Sequence, residues 1–62
     1  MTLKDLFDKI PISQHSNISI VNDGEMVIYF DGSNIFTAYL DQQKNLIPAD
    51  IATRNAFVAL GG

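Results

Sequence analysis

His15 is the only imidazole in this chain of 62 residues, and Ser13 and Ser16 stand close beside it. A serine hydroxyl near a histidine is the minimum of a nucleophile–base pair. Residues so close in sequence seldom form a triad, and no strained nucleophile turn is visible, so His15 reads as a solvated loop histidine. The seven acids, Asp5, Asp8, Asp23, Glu25, Asp31, Asp41 and Asp50, are dispersed along the chain. A calcium loop needs oxygen ligands at alternating positions and a closing glutamate, and that pattern is absent. Cysteine is absent too, which removes disulfides and thiolate metal sites. Neither glycine-bearing segment, Asn22-Asp23-Gly24-Glu25 or Asp31-Gly32-Ser33-Asn34, has the lysine and following helix of a nucleotide site. The expectation is a non-enzyme with no catalytic residues, no metal and no cofactor.

With four basic residues against seven acidic ones, the net charge is −3. A general phosphate-binding surface is therefore disfavoured, and direct contact with nucleic acid is not expected. The opening, Met1-Thr2-Leu3-Lys4-Asp5, carries one basic residue and is followed by no long apolar run, which predicts no secretory signal. The longest apolar run, Met26 to Phe30, is five residues, far short of the ~20 needed to span a bilayer. A cytoplasmic chain without membrane contact is expected, and the sequon at Asn17-Ile18-Ser19 then has no meaning. Residues 1–62 allow one domain. A chain this short buries only about 60% of its unfolded surface, so its stability is marginal.

The residues with chemical potential sit on elements that the pattern defines. Leu3, Leu6, Phe7 and Ile10 recur at helical spacing, with Lys4, Asp5, Asp8 and Lys9 opposite. Thr2 is placed to cap this helix, Asp5 stands in the capping-box position, and Pro11 ends it. Ser13 to Asn17 reads as a polar loop. Three β-rich runs follow, separated by Asp-Gly and Gly-Ser turns that favour hairpins. A two-residue loop at Asp23-Gly24 pairs Val21 with Met26 and Ile20 with Val27. A two-residue loop at Gly32-Ser33 pairs Phe30 with Ile35 and Met26 with Tyr39.

Residues 41–45 read as a polar connection. In the last segment Pro48 suits a first helical turn and Gly61 a helix end. Ala49, Ala52, Ala56 and Ala59 form a small-residue stripe that would pack closely on a sheet. The predicted fold is α+β: an N-terminal helix over 2–10, a three-stranded antiparallel meander over 17–22, 25–31 and 34–40, and a C-terminal helix over 48–60. The alternative ends the last segment in a fourth strand over 55–60.

Three resemblances attach to particular residues. The terminal Gly61-Gly62 resembles the tails of ubiquitin-like proteins and sulfur carriers, which implies a β-grasp fold and an activated carboxylate. The helix–meander–helix order, with Thr53-Arg54-Asn55-Ala56-Phe57-Val58-Ala59-Leu60-Gly61 at its end, is similar to the double-stranded-RNA-binding domain. That family's basic cluster is replaced by Pro48-Ala49-Asp50-Ile51-Ala52, so the likeness implies topology and not RNA binding. The opening Thr2-Leu3-Lys4-Asp5-Leu6-Phe7-Asp8-Lys9-Ile10-Pro11, followed by Asp-Gly hairpins, resembles small uncharacterised phage and prophage proteins. That resemblance implies an acidic cytosolic protein acting by binding, in some cases on a host protein.

The middle run is apolar on both sides of its pleat, whatever the register. Under the register above, Ile18, Ile20, Val27, Tyr29, Phe36, Ala38 and Leu40 share one face. Val21, Met26, Ile28, Phe30, Ile35 and Tyr39 share the other, interrupted by Ser19 and Thr37. If each helix covers one face, the core is complete. If both take the first face, the second stays in water as an interface. The functional expectation is therefore a small acidic protein-binding module, self-associating as a homodimer or engaging another protein through Val21, Met26, Ile28, Phe30, Ile35 and Tyr39. An acidic mimic of nucleic acid and a Gly-Gly carrier are the alternatives.

Overall fold

The computed structural model describes residues 1–61. Its first helix, α1 (Leu3–Lys9), begins with the reciprocal bonds of a capping box. The Asp5 N–H donates to Thr2 Oγ1 at 3.1 Å, and the Thr2 N–H donates to the Asp5 carboxylate at 3.0 Å. Leu6 and Ile10 are buried, Leu3 and Phe7 half-buried, and the charged side exposed, as the stripe predicted.

Four strands follow, β1 (Ile18–Val21), β2 (Met26–Phe30), β3 (Ile35–Leu40) and β4 (Leu46–Pro48), in an antiparallel sheet of order β1-β2-β3-β4. The first two hairpins have the predicted register: Val21 faces Met26, Ile20 faces Val27, Phe30 faces Ile35 and Met26 faces Tyr39. Asp23 (φ 58°) and Gly24 (φ 86°) supply the positive φ values that match a tight turn to the twist of its strands. At the other end the Asp31 carboxylate accepts from the N–H groups of Ser33 (2.8 Å) and Asn34 (2.7 Å).

The fourth strand lies earlier than the alternative reading placed it. Residues 55–60 are not a strand: α2 spans Ile51–Ala59, and β4 takes Leu46 and Ile47, which follow the polar connection, together with Pro48, the expected start of the helix. The Asp41 carboxylate folds residues 41–45 into a turn by accepting from Gln43 and Asn45 N–H at 2.9 and 2.8 Å. That turn lays Leu46 opposite Leu40 and Ile47 opposite Tyr39. The outer edge of β4 is occupied by the chain start, since Leu46 N–H donates to the Met1 carbonyl at 2.8 Å and Leu3 N–H to Lys44 at 2.9 Å. Pro48 therefore closes an edge strand, where its missing N–H costs no ladder bond, and is not a first-turn helix residue. Asp50 caps α2 instead, accepting the Thr53 N–H at 2.7 Å.

Both helices lie on one side of the sheet. Leu6 of α1, Ile10 at its C-cap and Phe57 of α2 share a core with Val27, Tyr29, Ala38 and Leu46. The face of α2 that meets the sheet is not the alanine stripe. Thr53 and Phe57 are buried, and Ala56 and Leu60 half-buried, whereas Ala49, Ala52 and Ala59 are exposed. Phe57 has far more apolar area to shelter than any alanine, and Thr53 has a specific polar task. Ala49 N–H donates to the Thr37 carbonyl at 2.9 Å where β4 ends. Just beyond, the Thr37 N–H turns to the fully buried Thr53 Oγ1 at 3.1 Å.

Candidate functional site

The residues that suggested chemistry are engaged in structure. Ile12–Asn17 is a 3-10 turn rather than a loose loop, and His15 is half-buried rather than solvated. Its Nε2 lies 2.8 Å from the Phe7 carbonyl and 3.3 Å from that of Ile10. A carbonyl only accepts, so Nε2 carries the proton and ties the turn to the end of α1, where histidines commonly bond the last carbonyls. The ring also meets Phe7 edge-on, with centroids 5.0 Å apart. Ser13 and Ser16 are exposed.

The carboxylates are occupied in the same way. Asp5, Asp31, Asp41 and Asp50 all lie below the ordinary carboxylate range, chiefly because each accepts backbone N–H bonds that favour the ionised form. Among the described residues no three His, Asp or Glu side chains converge as a metal site would require. Burial, then the nearby Asp31 carboxylate, pushes the Tyr29 phenol above its usual value. That hydroxyl donates to Gln14 Oε1 at 2.7 Å, which anchors the 3-10 turn over the sheet.

The uncovered side of the sheet is the remaining feature. Cross-strand partners point to the same side, so the register places Val21, Met26, Ile28, Phe30, Ile35 and Tyr39 together on the side away from both helices. Phe30 is 43% exposed, Ile35 66% and Tyr39 49%. Val21, Met26 and Ile28 are half-buried. Ser19 and Thr37 lie on the same side and supply only hydroxyls. Compared with known protein families, characterised proteins and solved structures, the chain has no significant match.

The structure adds one member that the sequence reading missed. Ile47, 50% exposed, stands opposite Tyr39 and extends the face onto β4. Its signal was the Leu46-Ile47 pair between a polar turn and Pro48, too short to declare a strand by itself. No strand side chain on this face is charged; Asp23, Glu25 and Asp41, with Lys44, border it at one end beside Tyr39, and Asp31 turns the other end of the sheet. Gly61 sits just past α2 with φ 91°, a conformation suited to ending a helix, and its carbonyl accepts from Lys9 Nζ at 3.4 Å. Gly62 lies outside the described residues. The four strands follow one another with no α-helix between them, unlike the β-grasp order that the carrier resemblance implies. No helix among the described residues is long and apolar enough to cross a membrane.

Proposed function

We propose that this chain is a small acidic protein-binding module whose contact is the open sheet face of Val21, Met26, Ile28, Phe30, Ile35 and Tyr39, extended by Ile47. One observation carries the reading. Both helices are committed to the same side of a sheet that is apolar on both sides, which leaves a contiguous uncharged surface in water. Exposed apolar patches of several hundred Å2 mark interaction sites more often than chance surface, and aromatic and Met side chains are typical anchors of such contacts. The resemblance of the opening segment to phage-encoded proteins adds a cytoplasmic setting and a host protein as one partner class.

A nucleic-acid mimic would need its carboxylates in one contiguous array. Asp23, Glu25 and Asp41 lie together at one end of the sheet, but Asp5, Asp31 and Asp50 are held at separate caps and turns, so that rival has less support. The reading is tested by placing a photoreactive side chain at Ile35 or, as a control, at the equally open Ile51 on α2 (72% exposed). Irradiation of native-host cells should give a discrete cross-linked polypeptide from position 35 and not from 51. Identical products from both positions, or none from 35, would remove the sheet face as the contact.

A further inference from the structure

The open face has three properties that together select its occupant. The first is area. Phe30, Ile35, Tyr39 and Ile47 alone leave roughly 400 Å2 in water, taking about 200 Å2 for a fully exposed large side chain. With their half-buried neighbours the face reaches roughly 600 Å2, so covering two such faces against each other would bury about 1,200 Å2, the lower bound for a stable interface. Only an occupant that covers the whole face reaches that bound, and a second face of the same size does so.

The second property is its polar content. The outward side chains of the strands carry no charge, and their hydrogen-bonding groups are the hydroxyls of Ser19, Thr37 and Tyr39. A hydroxyl both donates and accepts, so this face can satisfy itself, whereas a partner bringing carboxylates or ammonium groups would bury them unpaired. Of the seven acids, Asp23, Glu25 and Asp41 border one end of the face beside Tyr39, Asp31 turns the other end of the sheet, Asp5 and Asp8 belong to α1 and Asp50 caps α2, so none projects from the strands of the face. The third property is the shape of the edges. Residues Met1–Leu3 occupy the outer edge of β4, and β1 is only four residues long. Growth of the sheet edge to edge is thus poorly provided for, while stacking at about 10 Å is open.

We infer that the open face is covered by a second copy of this chain, the two sheets packed face to face about a twofold axis. This rests on the protein-binding reading above and names its partner. The pairing gives each subunit a second apolar layer, which a 62-residue chain with one small core gains more from than a larger protein does.

Sedimentation of the unmodified protein from about 1 μM to 1 mM should follow a monomer–dimer equilibrium in the micromolar range, its mass rising from 6.8 kDa to twice that value. Added salt should leave association unchanged or strengthen it by screening like charges. In mixed labelled and unlabelled protein, isotope-filtered NMR should connect the methyls of Met26, Ile28 and Ile35 to the other copy. Phe30→Glu and Ile35→Glu should each weaken association about a hundredfold or more, with an unchanged circular dichroism spectrum. The filtered NMR result decides the matter on the native chain if a variant fails to fold. A monomer up to about 1 mM, or intermolecular contacts from Ile51 and Val58 instead, overturns the inference. If the protein is monomeric while the probe at Ile35 still labels another polypeptide, the second copy is wrong and the protein-binding reading stands. If that probe labels nothing as well, both fall.

Discussion

The two faces of the sheet are made from the same kinds of residue and have opposite fates. On one, Val27 and Ala38 are almost completely sealed beneath Leu6, Ile10 and Phe57; on the other, Phe30, Ile35 and Tyr39 meet water. Side-chain type does not separate them, because β2 alternates Val27 and Tyr29 with Met26, Ile28 and Phe30. What separates them is that α1 and α2 share one side. An apolar residue in a strand thus signals a buried position only if the chain has enough helix to cover it, and two short helices cover most of one face of this four-stranded sheet, leaving Ile20 on β1 50% exposed.

Substitutions on the two faces should differ most at their centres. Leu6→Ala should destabilise the chain by about 2–5 kcal/mol, because it opens a cavity in a core with little capacity to collapse around it. For a domain of this size that loss approaches the whole of its stability, so chemical denaturation should show a largely unfolded population. A loss below about 1 kcal/mol would mean that the covered face is not the core.

Thr53→Val comes next. It keeps the volume and removes the acceptor of the Thr37 N–H, leaving a buried donor unpaired at a cost of about 1–3 kcal/mol, whereas Thr53→Ser should restore most of it. Equal melting of the Val and Ser variants would show that Thr53 acts by packing alone.

A smaller effect belongs to pH. The carboxylates of Asp5, Asp31, Asp41 and Asp50 titrate lower in the folded chain than their unfolded value near about 3.9, because backbone N–H groups bind the ionised form. The stabilisation they provide is complete above that unfolded value and is lost as pH falls through the lower folded values. The Tm should therefore stay level from about pH 7 to 5 and fall below about pH 4. Asp50→Ala should lower it modestly at neutral pH and flatten the acid limb; an acid limb identical to wild type would separate the caps from acid stability.

The smallest effect is expected on the open face. Ile35→Ser should change the stability of the isolated subunit by no more than about 0.5 kcal/mol, measured at concentrations too low for association. A loss as large as that of Leu6→Ala would erase the difference between the faces.

Much of the architecture was legible because it is local. The α1 stripe, the Thr2–Asp5 box, the Pro11 stop and both Asp- and Gly-bearing turns rest on contacts a few residues apart, and the turns carry the register of β1 to β3 with them. The candidate face was legible to the same extent, as a set of six side chains on one side of a meander. Its seventh member, Ile47, was not. A three-residue strand has too few residues for a period, and β4 exists because β3 lies on one side of it and Met1 to Leu3 on the other. The orientation of α2 was hidden for a related reason. The alanine stripe and the Thr53–Phe57 side both fit helical spacing, and the pairing of Thr37 with Thr53 links positions that are far apart in sequence. His15 looked solvated because the carbonyls it bonds carry no sign in residue type.

The order of residues alone thus determined which segments curl, which extend, where they reverse, and that the middle strand is apolar on both sides. These follow from sterics, caps and alternation within a few neighbouring residues. Only the tertiary structure decided which side the helices would share, because that choice depends on how Leu6, Ile10 and Phe57 pack together over Val27, Tyr29 and Ala38. Packing of that kind is a property of several distant segments at once, and burial is non-directional until the segments meet.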